Sequence, residues 1–120
     1  MKLQPLRIPP GWEVVLNRFL EWDVEDWSVK NENWLDLTED IAYFRRKGRR
    51  HEVGIDLGWY PDMDPQGAFH VRAILDERWE KPMKEYVTRE RKEAVKIIED
   101  LLSRYCFEHN VDVDWERCAE

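Results

Sequence analysis

Glu52-Val53-Gly54-Ile55-Asp56-Leu57-Gly58-Trp59-Tyr60 alternates without a break. Val53, Ile55, Leu57 and Trp59 fall on one face of an extended chain, and Glu52, Gly54, Asp56 and Gly58 fall on the other. A period of two sustained this long is a strand with one face built for a core. The other face carries two glycines, which flatten a sheet surface and let a second backbone come close.

The neighbouring segments extend this strand into a sheet. Residues 41–46 read as a strand with Ile41 and Tyr43 on one side. Lys47-Gly48-Arg49-Arg50 is a turn in which Gly48 is free to take positive φ, and the two strands around it form a hairpin. Residues 61–67, with Pro61, Pro65 and Gly67, are a loop, and Phe69, Val71, Ala73 and Leu75 alternate again as a further strand. Residues 76–87 read as a connector carrying Trp79, Pro82 and Tyr86. After Thr88, a good N-cap, Ala94, Ile97, Ile98, Leu101, Leu102 and Tyr105 form one apolar helical stripe. A helix of about 17 residues spans ~26 Å, enough to cross a four-stranded sheet. Val111, Val113 and Trp115 are a short final strand or a tail packed on the core.

At the other end, Pro5, Pro9, Pro10 and Gly11 dictate an extended entry. Residues 12–23 fit two periods almost equally. As a strand, Trp12, Val14, Leu16, Leu20 and Trp22 share a face; as a helix, Trp12, Val15, Leu16, Phe19 and Leu20 form the stripe. The density of Trp, Val and Phe, with no N-cap before Trp12, favours the strand. The sum is a single α+β domain over residues 1–120: an antiparallel sheet of about four strands with one long C-terminal helix packed on one face. The second face of such a sheet is left toward solvent.

Composition limits the function. A chain of 120 residues with 42% hydrophobic and 38% charged residues suits one folded domain, burying roughly two-thirds of its unfolded surface. No apolar run approaches the ~20 residues of a membrane span, and the N-terminus has no signal-like core, so a cytoplasmic address and no membrane partner are expected. Cys106 and Cys118 read as reduced thiols. The net charge of −7 argues against nucleic acid as a direct partner. The basic run Arg45, Arg46, Lys47, Arg49 and Arg50, followed by His51, reads as a solvated hairpin tip or as a counter-charge to the acidic stretch before it.

That acidic stretch is the most unusual part of the chain. Residues 21–40 hold Glu21, Asp23, Glu25, Asp26, Glu32, Asp36, Glu39 and Asp40 against Lys30 alone, a local balance of −7 that equals that of the whole protein. Trp22, Trp27 and Trp34 lie inside it. Of the seven tryptophans, Trp12, Trp59 and Trp22 fit core faces, and Trp79 and Trp115 fit the ends of the fold. Trp27 and Trp34 have no periodic partner; they serve as a lid over the sheet edge or as anchors for a partner.

Residues able to carry chemistry are sparse. Cys106, His109 and Cys118, with His51 or His70, lack the two tight ligand pairs of a structural zinc site. Asp62 with Asp64, and Asp112 with Asp114, do not continue into a calcium loop. Neither Ser28 nor Ser103 sits in a nucleophile elbow, and the five glycines form no phosphate loop. No catalytic residue, metal or cofactor is expected.

The plan resembles the immunity proteins of bacterial polymorphic-toxin systems of the contact-dependent inhibition type. What carries the resemblance is a small acidic α+β chain with a Trp-rich segment, then a connector Trp79-Glu80-Lys81-Pro82 leading to a helix start at Thr88-Arg89. It implies a non-enzymatic cytoplasmic protein that binds and neutralises one cognate toxin domain, itself basic. On that reading Asp23, Glu25, Asp26, Asp36, Glu39 and Asp40 steer the partner, and Trp27 and Trp34 anchor it. Two rivals make different demands. A small-molecule or carbohydrate module needs a deep aromatic pocket. A small carboxylate-dependent hydrolase needs perturbed carboxylates clustered in one cleft.

Overall fold

The central strand behaves as its alternation requires. In the computed structural model, which describes residues 2–23, 36–48 and 50–105, β3 (Glu52–Tyr60) buries Val53, Ile55, Leu57 and Trp59 completely. β2 (Ala42–Lys47) and β4 (Ala68–Leu75) pair with it antiparallel on either side. β1 (Glu13–Asn17) adds to β2, and β5 (Lys84–Thr88) adds to β4. The sheet is therefore an antiparallel meander in the order β1-β2-β3-β4-β5. One helix, α1 (Arg91–Arg104), lies across β3, β4 and β5. Its buried residues Ala94, Ile98, Leu101 and Leu102, with Tyr105 beyond its end, meet the core faces of the sheet. Each large apolar side chain so buried contributes about 1.5–3 kcal/mol.

The α+β class and the C-terminal helix are as the sequence predicts, but the sheet has five strands rather than about four. The extra strand, β5, comes from the segment read as connector. As an edge strand it exposes Glu85, Tyr86 and Val87, so its residues show no core-facing alternation. The helix also starts later than expected. Thr88 closes β5 and Glu90 is the N-cap. Thr88 still serves the helix start: its hydroxyl accepts the Glu90 N–H at 3.1 Å and donates to the Glu93 carboxylate at 3.1 Å.

The strand reading of residues 12–23 holds over Glu13–Asn17, with a different inward face. The register against β2 breaks between Val14 and Leu16, which reverses the alternation. Val14 and Val15 stand 47% and 48% exposed, and Phe19 enters the core. Trp12 keeps its expected place, half-buried against the core, its indole N–H donating to the Leu102 carbonyl at 3.1 Å. On β2 the inward set is Ala42, Phe44 and Arg46, paired with Leu57, Ile55 and Val53. Ile41 is buried too, just before the strand, but Tyr43 faces the opposite side. Arg46 is not part of a solvated tip. It is buried against Gly11, which takes φ +97, and donates to the Pro10 carbonyl at 3.2 Å.

The two outer-face glycines of β3 are where other groups come close. A Cβ on Gly58 would lie 2.2 Å from the Glu39 carbonyl oxygen, and a Cβ on Gly54 would lie 2.2 Å from the Tyr43 hydroxyl. The obstacle at Gly58 is backbone, and at Gly54 it is a side chain. Gly58→Ala is expected to lower stability by about 1–3 kcal/mol in urea unfolding, with no single side-chain truncation restoring it. The cost of Gly54→Ala should shrink in a Gly54→Ala/Tyr43→Ala background, a coupling read from the double-mutant cycle. Equal behaviour at the two sites would contradict this assignment of obstacles.

Candidate functional site

The hairpin cations and the carboxylates before β2 lie at opposite ends of the sheet. From Glu52 to Tyr60, β3 runs about 26 Å at ~3.3 Å per residue. The β2–β3 hairpin, with Lys47, Arg50 and His51, is at one end. There Arg45 is engaged by Glu13 at 2.5 Å and by Glu52 at 3.4 Å, and His51 Nδ1 lies 2.8 Å from Asp76. The carboxylates before β2 are at the other end. Residues 37–41 run beside the last part of β3: the Trp59 N–H donates to the Thr38 carbonyl at 2.8 Å, and the Ile41 N–H to the Leu57 carbonyl at 3.0 Å. The Met63 N–H donates to the Leu37 carbonyl at 2.7 Å, tying the β3–β4 loop to the same segment.

Asp36, Glu39 and Asp40 are exposed at this end and, among the described residues, join no ion pair. The Asp62 carboxylate joins them by accepting the Glu39 N–H at 2.9 Å. In the sequence Asp62 reads as ordinary turn chemistry; its membership of the rim becomes visible only through this loop contact. Asp23 differs from the rest of its stretch. Arg91, at the start of α1, binds it at 2.9 Å and also binds Gln4. Of the other cations here, Arg89 donates to the carbonyls of Pro65, at 3.0 Å, and Gly67, and lies over the Trp59 ring. Arg18 is exposed beside Asp36. Glu25, Asp26, Trp27 and Trp34, together with Cys106, His109, Val111, Val113, Trp115 and Cys118, lie outside the described residues.

The outer face of the sheet holds a second feature that the charge count does not reveal. Asp56 stands at the middle of β3 between Gly54 and Gly58, with Tyr43 of β2 and Arg72 of β4 opposite it in register. Tyr43 covers Gly54 and packs on Trp79, ring centroids 5.3 Å apart; Trp79 itself is 45% exposed. Tyr60 and the Glu39 carbonyl cover Gly58. Asp56 is thereby left only 6% exposed. Arg72 does not bond to it. Its Nε donates to Glu85 at 2.5 Å, and its guanidinium lies 4.7 Å from the Tyr60 ring centroid. His70 stands edge-on to the same ring at 5.0 Å. The signal for this site in the sequence is the lone carboxylate between two glycines on an otherwise apolar strand.

This setting moves the proton equilibria. Burial pushes the Asp56 carboxyl up to about 7; the positive Arg72 opposes the shift, and Asp40 adds to it. Burial, reinforced by Glu52 and Glu77, pushes Tyr43 up to about 12. The Arg72 hydrogen bond holds Glu85 below the usual carboxylate range.

Among the described residues no set of His, Cys, Asp or Glu is arranged to hold a metal ion, and no helix is long and apolar enough to cross a membrane. The hollow beside the acidic end, walled by Phe19, Trp22, Asp36 and Phe69, has a volume of about 10 Å³, room for about one water molecule. Two larger hollows, of about 430 and 340 Å³, open at the hairpin and between β5 and α1. The first is lined by charged groups, and the second has Tyr86 as its one aromatic. No protein-family model, curated protein or solved structure matches this chain.

An Asp with a folded pKa above its unfolded value holds a proton in the folded state where the unfolded chain has lost it. Stability from this group therefore falls as pH rises from about 4 to about 7 and is level above that. With the carboxyl raised from 3.8 to about 7, the penalty for the ionised form reaches up to about 4 kcal/mol. Asp56→Asn removes it. In urea unfolding the variant's stability relative to the parent should improve by about 2–4 kcal/mol between pH 4 and pH 8. A difference that stays constant with pH would show that Asp56 titrates normally.

Proposed function

We propose that this chain is a non-enzymatic inhibitor that docks a cationic protein domain on its acidic end, as the immunity proteins it resembles dock a cognate toxin. The observation that supports this reading best is the separation of charge along the sheet. Asp36, Glu39 and Asp40 stand exposed and unpaired among the described residues, while Arg45 is engaged by Glu13 and Glu52. Carboxylates held in no ion pair attract a cationic surface, raise its association rate and fix its orientation, and here Arg18 beside Asp36 offsets part of their field. Asp23, held by Arg91, contributes less to that field than the other three.

The small-molecule reading asks for a deep aromatic pocket, and the three hollows described above are water-sized, charged or poor in aromatics. The hydrolase reading asks for perturbed carboxylates clustered in one cleft; Asp56 is perturbed, with Asp40 acting on it, but none of the three hollows described above is lined by it.

The test begins with affinity capture from the source cells, followed by association kinetics with the recovered protein. Asp36→Lys/Glu39→Lys/Asp40→Lys is expected to slow association at least ten-fold at low ionic strength and to flatten its salt dependence. Asp23→Asn should change the rate less than any of these. Recovery of no basic protein, or an on-rate unmoved by the triple variant, would refute the reading.

A further inference from the structure

We infer that the outer face of the sheet is a seat for a single primary ammonium group, a lysine side chain of the docked protein, received by Asp56 between Tyr43 and Tyr60. The inference rests on the docking reading for the identity of the lysine's owner, and on the face itself for the chemistry. A buried carboxylate normally has at least one hydrogen-bond donor. Asp56 is more than nine-tenths buried, yet among the described residues no donor bonds to it. Both neighbouring arginines are committed elsewhere, Arg45 to Glu13 and Glu52, Arg72 to Glu85. Arg72 lies close enough to act on Asp56 through charge but gives it no hydrogen bond, so what the carboxylate lacks is a cation bonded to it.

The shape narrows the choice of cation. Tyr43 fills the space over Gly54, while Tyr60 and the Glu39 carbonyl fill the space over Gly58. With both glycines covered, a compact ammonium on a thin stem needs less room to reach Asp56 than a planar guanidinium does. The methylene stem has an apolar surface to lie on in the exposed Trp79 indole stacked on Tyr43. Glu39 and Asp40, at the edge of this face, extend the same negative field outward from Asp56. The seat is thus continuous with the acidic end rather than a separate site.

Charge on Asp56 governs the seat, so occupancy depends on pH. The groups facing that carboxylate are Tyr43 from β2, Arg72 from β4 with its partner Glu85 on β5, Tyr60 from its own strand with His70 against it, and Asp40 from the preceding segment. A bound ammonium favours the ionised carboxylate, which makes binding release a proton.

The experiment titrates the full chain with Nα-acetyl-lysine methylamide, using Nα-acetyl-norleucine methylamide as the uncharged control, and follows backbone amide resonances. Saturable shifts at Gly54, Asp56 and Gly58 are expected with the lysine probe alone. They should weaken at least ten-fold from pH 8 to pH 5, where the probe stays charged, and should vanish in Asp56→Asn. Equal shifts with norleucine, no saturable shift, or shifts that persist in Asp56→Asn would overturn the proposal. If Asp56→Asn does not fold, the pH comparison on the parent protein decides alone. The docking reading is judged separately: an unresponsive seat leaves the rim-variant kinetics standing, and a failed capture leaves the probe titration valid.

Discussion

The structure depends on one strand having large apolar groups on one face and almost nothing on the other. Val53, Ile55, Leu57 and Trp59 of β3 give α1 a surface wide enough to bury Ala94, Ile98, Leu101 and Leu102. The glycines behind them remove side-chain volume from the outer face. Tyr43 and the Glu39 backbone then settle directly on the sheet. That close approach brings the chain before β2 down beside β3, where its amides and carbonyls pair with Leu57, Trp59 and Met63. The acidic residues of this segment are thereby placed by backbone hydrogen bonds rather than by their own side chains. Their carboxylates are left free of structural duty.

Much of this was legible in the sequence where periodicity is strict. β3, β4 and the buried stripe of α1 follow from alternation and from the i, i+3, i+4 pattern, because each presents a full apolar face to a single core. The parts that were not legible share a physical cause: the deciding contact is distant in the chain. The bulge between Val14 and Leu16 inverts the rest of β1, so Asn17 rather than Leu16 falls opposite inward-facing Ala42, and Phe19 beyond it is buried. Arg46 looks solvent-bound until Gly11 and the Pro10 carbonyl are brought against it. Lys84–Thr88 has too little buried surface of its own to announce a strand, and becomes β5 by pairing with β4. Asp23 reads as part of a free acidic run until Arg91 arrives from α1.

The same distance argument separates the two ends of the sheet. An excess of carboxylates over 21–40 is visible in composition, but whether they are neutralised depends on where the hairpin arginines go. Lys47 and Arg50 lie roughly one strand length away, about 26 Å, well beyond the Debye length of ~8 Å at physiological salt. Exposed charges so far apart hardly interact in solution. The hairpin cations, with Glu13, Glu52 and Asp76 beside them, therefore do little to neutralise the acidic end.

Asp56 connects this surface to the stability of the fold. Burial that pushes the Asp56 carboxyl up to about 7 corresponds to roughly 4 kcal/mol of unfavourable charge burial at neutral pH. A cation delivered to that carboxylate recovers part of this energy, less the cost of stripping water from the ammonium. The free protein thus carries in its own sheet a strain that a partner of the right charge relieves, and a neutral side chain in the same place does not. Affinity and selectivity then share one origin: the carboxylate that weakens the isolated fold discriminates in favour of a lysine, because only a positive group makes its ionised form comfortable among Tyr43, Tyr60 and two glycines.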